Sequence, residues 1–372
     1  MEVEARLATG NVTTSVRVLI AGGGTGGHII PALAVADELA RKYRAEILFV
    51  GTPRGMESRL VPAAGFRLHL IEVGPLKNVS LATRLNTMLD LPRSLLACRR
   101  LIREFKPDVV LGVGGYASGP GMAAALSLHI PTMAFEPNAM PGLANRLVGK
   151  RVQAAAVNFP AAAVYFRNAE VTGIPVRPDF FSLPPAIAAT PHLLVFGGSQ
   201  GARLFNATLP AIVSSLLKAV PGLSILHQAG ARHAEATDAA YRDSGADPSR
   251  WRVSGFLDDM PVRFAEANLV MSRSGASTVA ELAAAGKPAV LVPFAAAADD
   301  HQTRNAEEMV TAGAAIMLKE TDLHDQGKVL DCLVQLLTSK QRLDAMAAAA
   351  LTQAHPHAAE EIANRLVALS RN

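Results

Sequence analysis

Short, almost uninterrupted apolar runs alternate along this chain with longer stretches in which apolar residues recur every three or four positions. In the first half the apolar runs are residues 17–21, 46–50, 68–73, 109–113, 132–135 and 154–159. In the second half they are residues 192–196, 223–228, 269–271 and 289–293, with 252–255 a further, more polar strand candidate. Runs that are apolar throughout read as strands buried on both faces, and the amphipathic stretches between them as covering helices. The pattern predicts an α/β chain built on parallel sheets.

One weak repeat organises it. Val18-Leu19-Ile20-Ala21-Gly22-Gly23-Gly24-Thr25-Gly26-Gly27 leads into an apolar-periodic helix, and so does Leu193-Leu194-Val195-Phe196-Gly197-Gly198-Ser199-Gln200-Gly201-Ala202. Each is a strand, a glycine turn and a helix, the opening unit of a doubly wound sheet. The chain of 372 residues therefore reads as two similar Rossmann-like halves. They join near Gly173-Ile174-Pro175-Val176-Arg177-Pro178, where glycine and two prolines suit a hinge. The expected organisation is a loose tail over 1–16, a first domain over 17–175 and a second over 176–357. A ligand cleft is expected between the carboxyl ends of their strands.

Composition narrows the function classes. Half the residues are apolar and 18% are charged, so most of the chain can bury a core and disorder is excluded for it. The balance of 36 basic and 32 acidic residues, with 5% aromatics and no basic–aromatic interleaving, argues against nucleic acid as a partner. Two distant cysteines, Cys98 and Cys332, make neither a disulfide framework nor a thiolate zinc site, and a reducing cytoplasm fits. The acid-bearing start is no signal peptide, and no run of about 20 apolar residues spans a bilayer.

The candidate chemistry lies in the turns. Gly22-Gly23-Gly24-Thr25-Gly26-Gly27-His28 lets backbone approach a ligand closely and aims helix amides at it. Its spacing fits a dinucleotide fingerprint. Yet Val50-Gly51-Thr52-Pro53-Arg54 supplies no acid for a ribose, and no lysine follows the glycines to make a Walker loop. The plainer reading is a tight turn. His28, at the helix start, is disfavoured as imidazolium there and suits a general base; otherwise it orders the loop. Gly112-Val113-Gly114-Gly115-Tyr116-Ala117-Ser118-Gly119-Pro120-Gly121 is either a second phosphate-type loop or a helix–sheet crossing crowded enough to need small residues.

In the second half, Gly197-Gly198-Ser199-Gln200-Gly201 offers amides and a hydroxyl to a phosphate, unless Ser199 only caps its helix. Within Ser272-Arg273-Ser274-Gly275-Ala276-Ser277-Thr278-Val279-Ala280-Glu281, Thr278 and Glu281 fit a capping box. The sharper reading has Glu281 accept hydrogen bonds from a ribose diol while the turn amides hold a diphosphate. Asp299-Asp300-His301-Gln302-Thr303-Arg304-Asn305 suits sugar hydroxyls. Adjacent residues rarely converge on one ion, so Asp299, Asp300 and His301 are not expected to bind a metal. Residues 76–93 offer Leu76, Lys77, Val79, Leu81, Arg84, Leu85 and Met88 as an apolar face rimmed by cations. It suits an anionic membrane surface, although a core-facing helix is the plainer reading.

Taken in order, residues 22–28, 112–121, 136–146, 173–177, 197–202, 256–260, 272–281 and 300–306 resemble the MurG family, bacterial N-acetylglucosaminyltransferases that complete lipid II. The resemblance runs from about residue 16 to the end. Pro137 departs from it, standing where the family usually has glutamine. The resemblance implies a GT-B fold whose last segment, 358–372, packs back on the first domain. It implies inverting transfer of GlcNAc from UDP-GlcNAc to the C4 hydroxyl of lipid I, the undecaprenyl-diphosphate-linked acceptor, with no cofactor or metal required. His28 would be the base. Thr25, Gly26, Gly27 and Asn138 would reach the donor sugar. Arg177, Ser199, the Leu257 backbone, Ala276, Ser277, Thr278, Val279, Ala280, Glu281 and Gln302 would hold the donor. Gly114, Gly115, Tyr116, Ser118 and Gly119 would meet the acceptor diphosphate. The place implied is the cytoplasmic side of the inner membrane, peripherally bound, in the company of cell-wall and division proteins. Rival readings are a UDP-GlcNAc 2-epimerase, an NAD(P)-dependent oxidoreductase and a non-catalytic membrane scaffold.

Overall fold

The computed structural model describes residues 15–73, 81–183 and 190–371, with side chains left out at 81–89 and 298. The first sheet contains β1 (Arg17–Gly22), β2 (Glu46–Gly51), β3 (Arg67–Leu70), β4 (Val109–Gly114), β5 (Thr132–Glu136), β6 (Ala154–Val157) and β7 (Ala169–Val171), in the order β3-β2-β1-β4-β5-β6-β7. The second contains β8 (His192–Phe196), β9 (Ser224–Gln228), β10 (Trp251–Ser254), β11 (Leu269–Ser272), β12 (Ala289–Leu291) and β13 (Ala315–Met317), in the order β10-β9-β8-β11-β12-β13. The described strand pairs are parallel, as expected for apolar strands separated by helices. All eleven expected strands form; β7 and β13 were not expected.

The first set of helices is α1 (Gly26–Tyr43), α2 (Glu57–Ala63), α3 (Leu81–Phe105), α4 (Ser118–Ser127), α5 (Leu143–Val148) and α6 (Pro160–Ala163). The second is α7 (Arg203–Ala219), α8 (Ala234–Asp243), α9 (Met260–Glu266), α10 (Ala276–Ala284), α11 (His301–Thr311), α12 (Gln326–Leu337), α13 (Lys340–Leu351) and α14 (Ala358–Ser370). On α1 the buried positions Ile29, Ala32, Val35, Ala36 and Leu39 fall at helical spacing, so one stripe faces the sheet. On α7, Leu209, Val213 and Leu216 do the same, packing with Leu193, Ile225 and Met271. Truncating one such fully buried leucine to alanine costs about 2–5 kcal/mol.

By packing, the chain divides within β5: residues to Ala134 with those from Ile362 onward form one compact unit, and Phe135–Glu361 the other. The expected boundary at 175/176 follows the change of sheet; the packing boundary does not. Within the first unit Asn364 Oδ1 accepts from Lys42 Nζ at 3.0 Å, tying the last helix to α1. Among the described residues no helix is long and apolar enough to cross a membrane.

Candidate functional site

Both sheets reverse their winding at one strand pair, β1/β4 in the first and β8/β11 in the second. Ligands of doubly wound sheets bind outside the carboxyl ends of the strands at that point. Apart from 299–305, which follows β12, the turns singled out in the sequence lie there, four in all. The helices that leave them are α1, α4, α7 and α10, with Thr25, Ala117, Ala202 and Gly275 at their caps. None of the four cap residues makes a side-chain capping hydrogen bond. First-turn amides are therefore not closed off by capping side chains, and each helix start carries partial positive charge. Two of the plainer readings fail here. Ser199 is exposed and lies before the Ala202 cap, so it does not cap α7. Thr278 and Glu281 form no capping box, because α10 begins at Ala276 behind Gly275.

In the first unit the two glycine turns are pressed together. Gly23 N donates to Gly114 O at 3.1 Å, and a Cβ on Gly115 would lie 2.1 Å from Gly23 O. His28, half-buried in the first turn of α1, rests its ring against Gly114: a Cβ there would sit 2.9 Å from Cε1. Gly112 and Gly121 pack against Met122 and Ala21, so the crowded-crossing reading holds for those two. It does not hold for Gly119, whose Cβ position has nothing within 4 Å. Next to it, Ser118 Oγ is buried with no hydrogen-bond partner among the described residues, while Tyr116 is exposed. Thr25 O accepts from His28 N and Ile29 N, both at 3.2 Å. Gly26 and Gly27 open α1, and Pro31, lacking an N–H, leaves the Gly27 carbonyl without its helical donor.

Sequence reasoning missed Glu57. Its carboxylate lies under the first glycine turn, 1% exposed, and Oε2 accepts from Gly24 N at 2.6 Å. The other oxygen accepts from Thr52 N at 2.8 Å and Thr52 Oγ1 at 2.9 Å. The second glycine of a dinucleotide fingerprint must leave its backbone open to pyrophosphate. Here that amide is taken, which disfavours the nicotinamide reading.

In the second unit another unforeseen residue, Gln228 at the end of β9, straps two turns. It donates from Nε2 to Gly198 O at 2.9 Å and accepts from Leu257 N at 3.1 Å through Oε1. Of the Leu257 backbone, the N–H is thus occupied by a buried side chain. Burial pushes the Glu281 carboxyl up to about 7, with the positive charge of Arg177 acting in the opposite direction. Arg177 itself is exposed and lies over the Phe180 ring. Ser277 Oγ, inside the first turn of α10, is buried without a hydrogen-bond partner among the described residues.

A polar network fixes Asn138. Glu136 is buried and accepts from Asn138 N at 3.0 Å, Asn138 Nδ2 at 3.2 Å, Gly142 N at 3.1 Å and Asn145 Nδ2 at 3.0 Å. Burial raises its pKa and these four donors lower it, burial being the larger effect. Asn305, fully buried, accepts from Ala139 N at 2.9 Å and donates to Asn138 Oδ1 at 3.2 Å and Ser274 O at 3.1 Å. Gln302 Oε1 accepts from Phe294 N at 2.9 Å, so its amide N–H groups are the part left to meet a ligand. At the departure, Pro137 is buried and its carbonyl accepts from Asn158 Nδ2 at 3.3 Å. Asp299 pairs with Arg146 at 3.3 Å and Asp300 accepts from Thr303 Oγ1 at 2.6 Å. Among the described residues no group of three metal-ligating side chains gathers. Of the membrane-face residues, Leu76, Lys77 and Val79 lie outside the described residues. Leu81, Arg84, Leu85 and Met88 lie on α3, in the part whose side chains are not described.

Two doubly wound parallel sheets in one chain, each with such helix starts at its switch point, make the architecture of the GT-B fold. Residues 18–157 match the glycosyltransferase family 28 N-terminal domain and residues 192–362 the family 28 C-terminal domain. The chain belongs to the MurG family of these glycosyltransferases. A relative from Anaeromyxobacter dehalogenans is 44% identical over 362 residues, covering 95% of this chain and 93% of its own; it is named UDP-N-acetylglucosamine–N-acetylmuramyl-(pentapeptide) pyrophosphoryl-undecaprenol N-acetylglucosamine transferase. The crystal structure of Acinetobacter baumannii MurG superposes with a TM-score of 0.80 at 32% identity, over 95% of this chain and 99% of that one. A UDP-GlcNAc 2-epimerase from Neisseria meningitidis shares the fold at 14% identity and a TM-score of 0.66, over 95% of this chain and 100% of that one.

Proposed function

We propose that this enzyme transfers GlcNAc from UDP-GlcNAc to the C4 hydroxyl of the lipid I sugar, forming lipid II for peptidoglycan. The observation that carries this reading is nearly full-length identity of 40 to 44% to relatives that bear that one transferase name. The epimerase shares the sheets at an identity too low to carry more than fold.

The chemistry follows from the residues. In an inverting transfer the acceptor oxygen bonds to the anomeric carbon as the bond to the UDP oxygen breaks, and a base removes the hydroxyl proton. His28 would be that base, at a helix start that disfavours the imidazolium. The charge that develops on the departing diphosphate would be met by the amides of the turns after β8 and β11, by Ser199 and by the Arg177 guanidinium. Glu281 would take the ribose hydroxyls, Gln302 and Asn138 the sugar, and residues 114–119 the acceptor diphosphate. These groups stabilise the leaving group without a metal ion. The same reading places the enzyme peripherally on the cytoplasmic face of the inner membrane, through residues 76–88 and anionic lipid. There it would serve cell division and cell shape alongside other cell-wall proteins.

The test is incubation with radiolabelled UDP-GlcNAc and a lipid I analogue. Label entering the lipid fraction, undiminished by chelator, is expected; free sugar epimerised without acceptor would overturn the reading. Full turnover in both His28→Ala and Glu281→Ala would remove the roles given to those residues.

A further inference from the structure

The first glycine turn contains an acid where its sequence pattern would place a ligand. Glu57 comes from the start of α2, the helix after β2, and turns inward beneath the turn. Three glycines make room for it. Cβ atoms on Gly23, Gly51 and Gly55 would lie 2.3, 2.3 and 2.1 Å from its side-chain atoms, closer than any real contact. The carboxylate accepts three hydrogen bonds, one from Gly24 N and two from Thr52, and Met56 N closes the same ring onto Gly24 O at 3.3 Å. A buried anion is tolerated only when it is so satisfied. The opening turn of a doubly wound sheet holds a phosphate by these means: backbone amides, a helix start and glycines that permit close approach.

We infer that Glu57 is a positioning residue whose carboxylate stands in for that phosphate, fixing the first glycine turn in a form that receives uncharged sugar and not nucleotide diphosphate. This rests on the transferase reading for the identity of the sugar. It accounts for why two sheets of the same strand order need not bind the same ligand. In the first unit the anion is part of the chain; in the second, the corresponding turn after β8 has its Gly198 carbonyl strapped by Gln228. His28 sits four residues after Gly24, on the helix this turn launches, so a loosened turn moves the base.

The test uses the full-length enzyme with Glu57→Ala and Glu57→Gln. Glutamine keeps one acceptor oxygen and loses the other, so its loss should be the smaller. Displacing a reacting group by about 1 Å can cost 100-fold, so kcat of Glu57→Ala should fall by about 10- to 100-fold. KM for UDP-GlcNAc should stay within about twofold, because the uridine diphosphate is held by the other unit. Formate, which fits the emptied space, should restore part of kcat in Glu57→Ala and do nothing for wild type. Formate binding to Glu57→Ala, followed by calorimetry, does not depend on which reaction is catalysed. Wild type that transfers no GlcNAc would therefore overturn the transferase reading and leave this measurement standing. Unchanged kcat in both variants would overturn the role of Glu57. So would a loss that only tracks a lowered melting temperature and that formate does not restore.

Discussion

Gln228 holds the Leu257 amide: the Oε1 of one accepts the N–H of the other at 3.1 Å, across the ends of β9 and β10. The same carboxamide donates to Gly198 O, so it sets the spacing between the turn after β8 and the segment after β10. Gln228→Leu keeps the bulk and removes both bonds. A buried amide left unpaired costs about 1–3 kcal/mol. We expect KM for UDP-GlcNAc to rise about 10-fold while KM for the lipid acceptor is unchanged. Steady-state kinetics with each substrate varied in turn decides it.

Glu281 should release a proton when nucleotide binds. Its free-enzyme pKa of about 7 reflects burial, and hydroxyl donors from a ribose favour the charged form. Near pH 6.5 nucleotide binding should therefore expel a fraction of a proton, measurable by calorimetry in buffers of different ionisation enthalpy. Glu281→Gln should abolish the release and weaken binding.

Two buried groups give opposing slopes of stability against pH. The Glu281 pKa is raised from 4.5 to about 7 on folding, so its folded form keeps a proton the unfolded chain has lost. Its contribution is complete below pH 4.5 and is lost as pH rises through 7. His227, fully buried beside the Tyr241 hydroxyl at 3.1 Å, is pushed down from 6.5 to about 3 by burial. Its contribution is present above pH 6.5 and is lost as pH falls through 3. Between pH 4.5 and 6.5 the two cancel in the wild type. In Glu281→Gln the His227 slope is exposed, so urea unfolding should show stability falling from pH 6.5 to 5, by about 1.4 kcal/mol per pH unit at most.

Two glycines on the same loop should respond in opposite ways. Gly114→Ala drives a methyl into the His28 ring and into a backbone at φ +88°, so turnover should collapse and stability fall. Gly119→Ala fills open space within a helix, where alanine is favoured by about 1 kcal/mol. Its melting temperature should hold or rise. If acceptor diphosphate approaches there, KM for the lipid acceptor should increase with donor KM unaltered; equal values for wild type and variant would remove Gly119 from the acceptor site.

Most strands were legible because they are apolar runs buried on both faces; β3 and β10, at sheet edges, are largely uncovered and showed only as short β-rich segments between helices. The two that escaped, β7 and β13, have three residues each and lie at sheet edges; β7 is too short to show a pattern, whereas β13 lies in the apolar run 314–318, directly after α11, and was passed over. The turns were legible because glycine clusters mark close backbone approach. What holds those turns was not. Glu57, Gln228 and Asn305 bond to backbone groups of segments far off in sequence, and no local spacing signals such a partner. One cue was present for Glu57, since glycines at 51 and 55 bracket the segment that makes room for it. The plainer capping readings of Thr278 and Ser199 failed for a different reason. A capping pattern says where a helix can start, and here Gly275 and Ala202 start the helices instead.

The neighbours β8 and β11 are separated in the chain by β9, β10 and three helices, α7, α8 and α9. The nucleotide site proposed for the second sheet would therefore not form during synthesis until β11 has slotted beside β8, closing a long loop at an entropic cost. A ligand seated there holds that late pairing shut, so UDP should protect β11 amides from hydrogen exchange more than those of strands formed from local contacts.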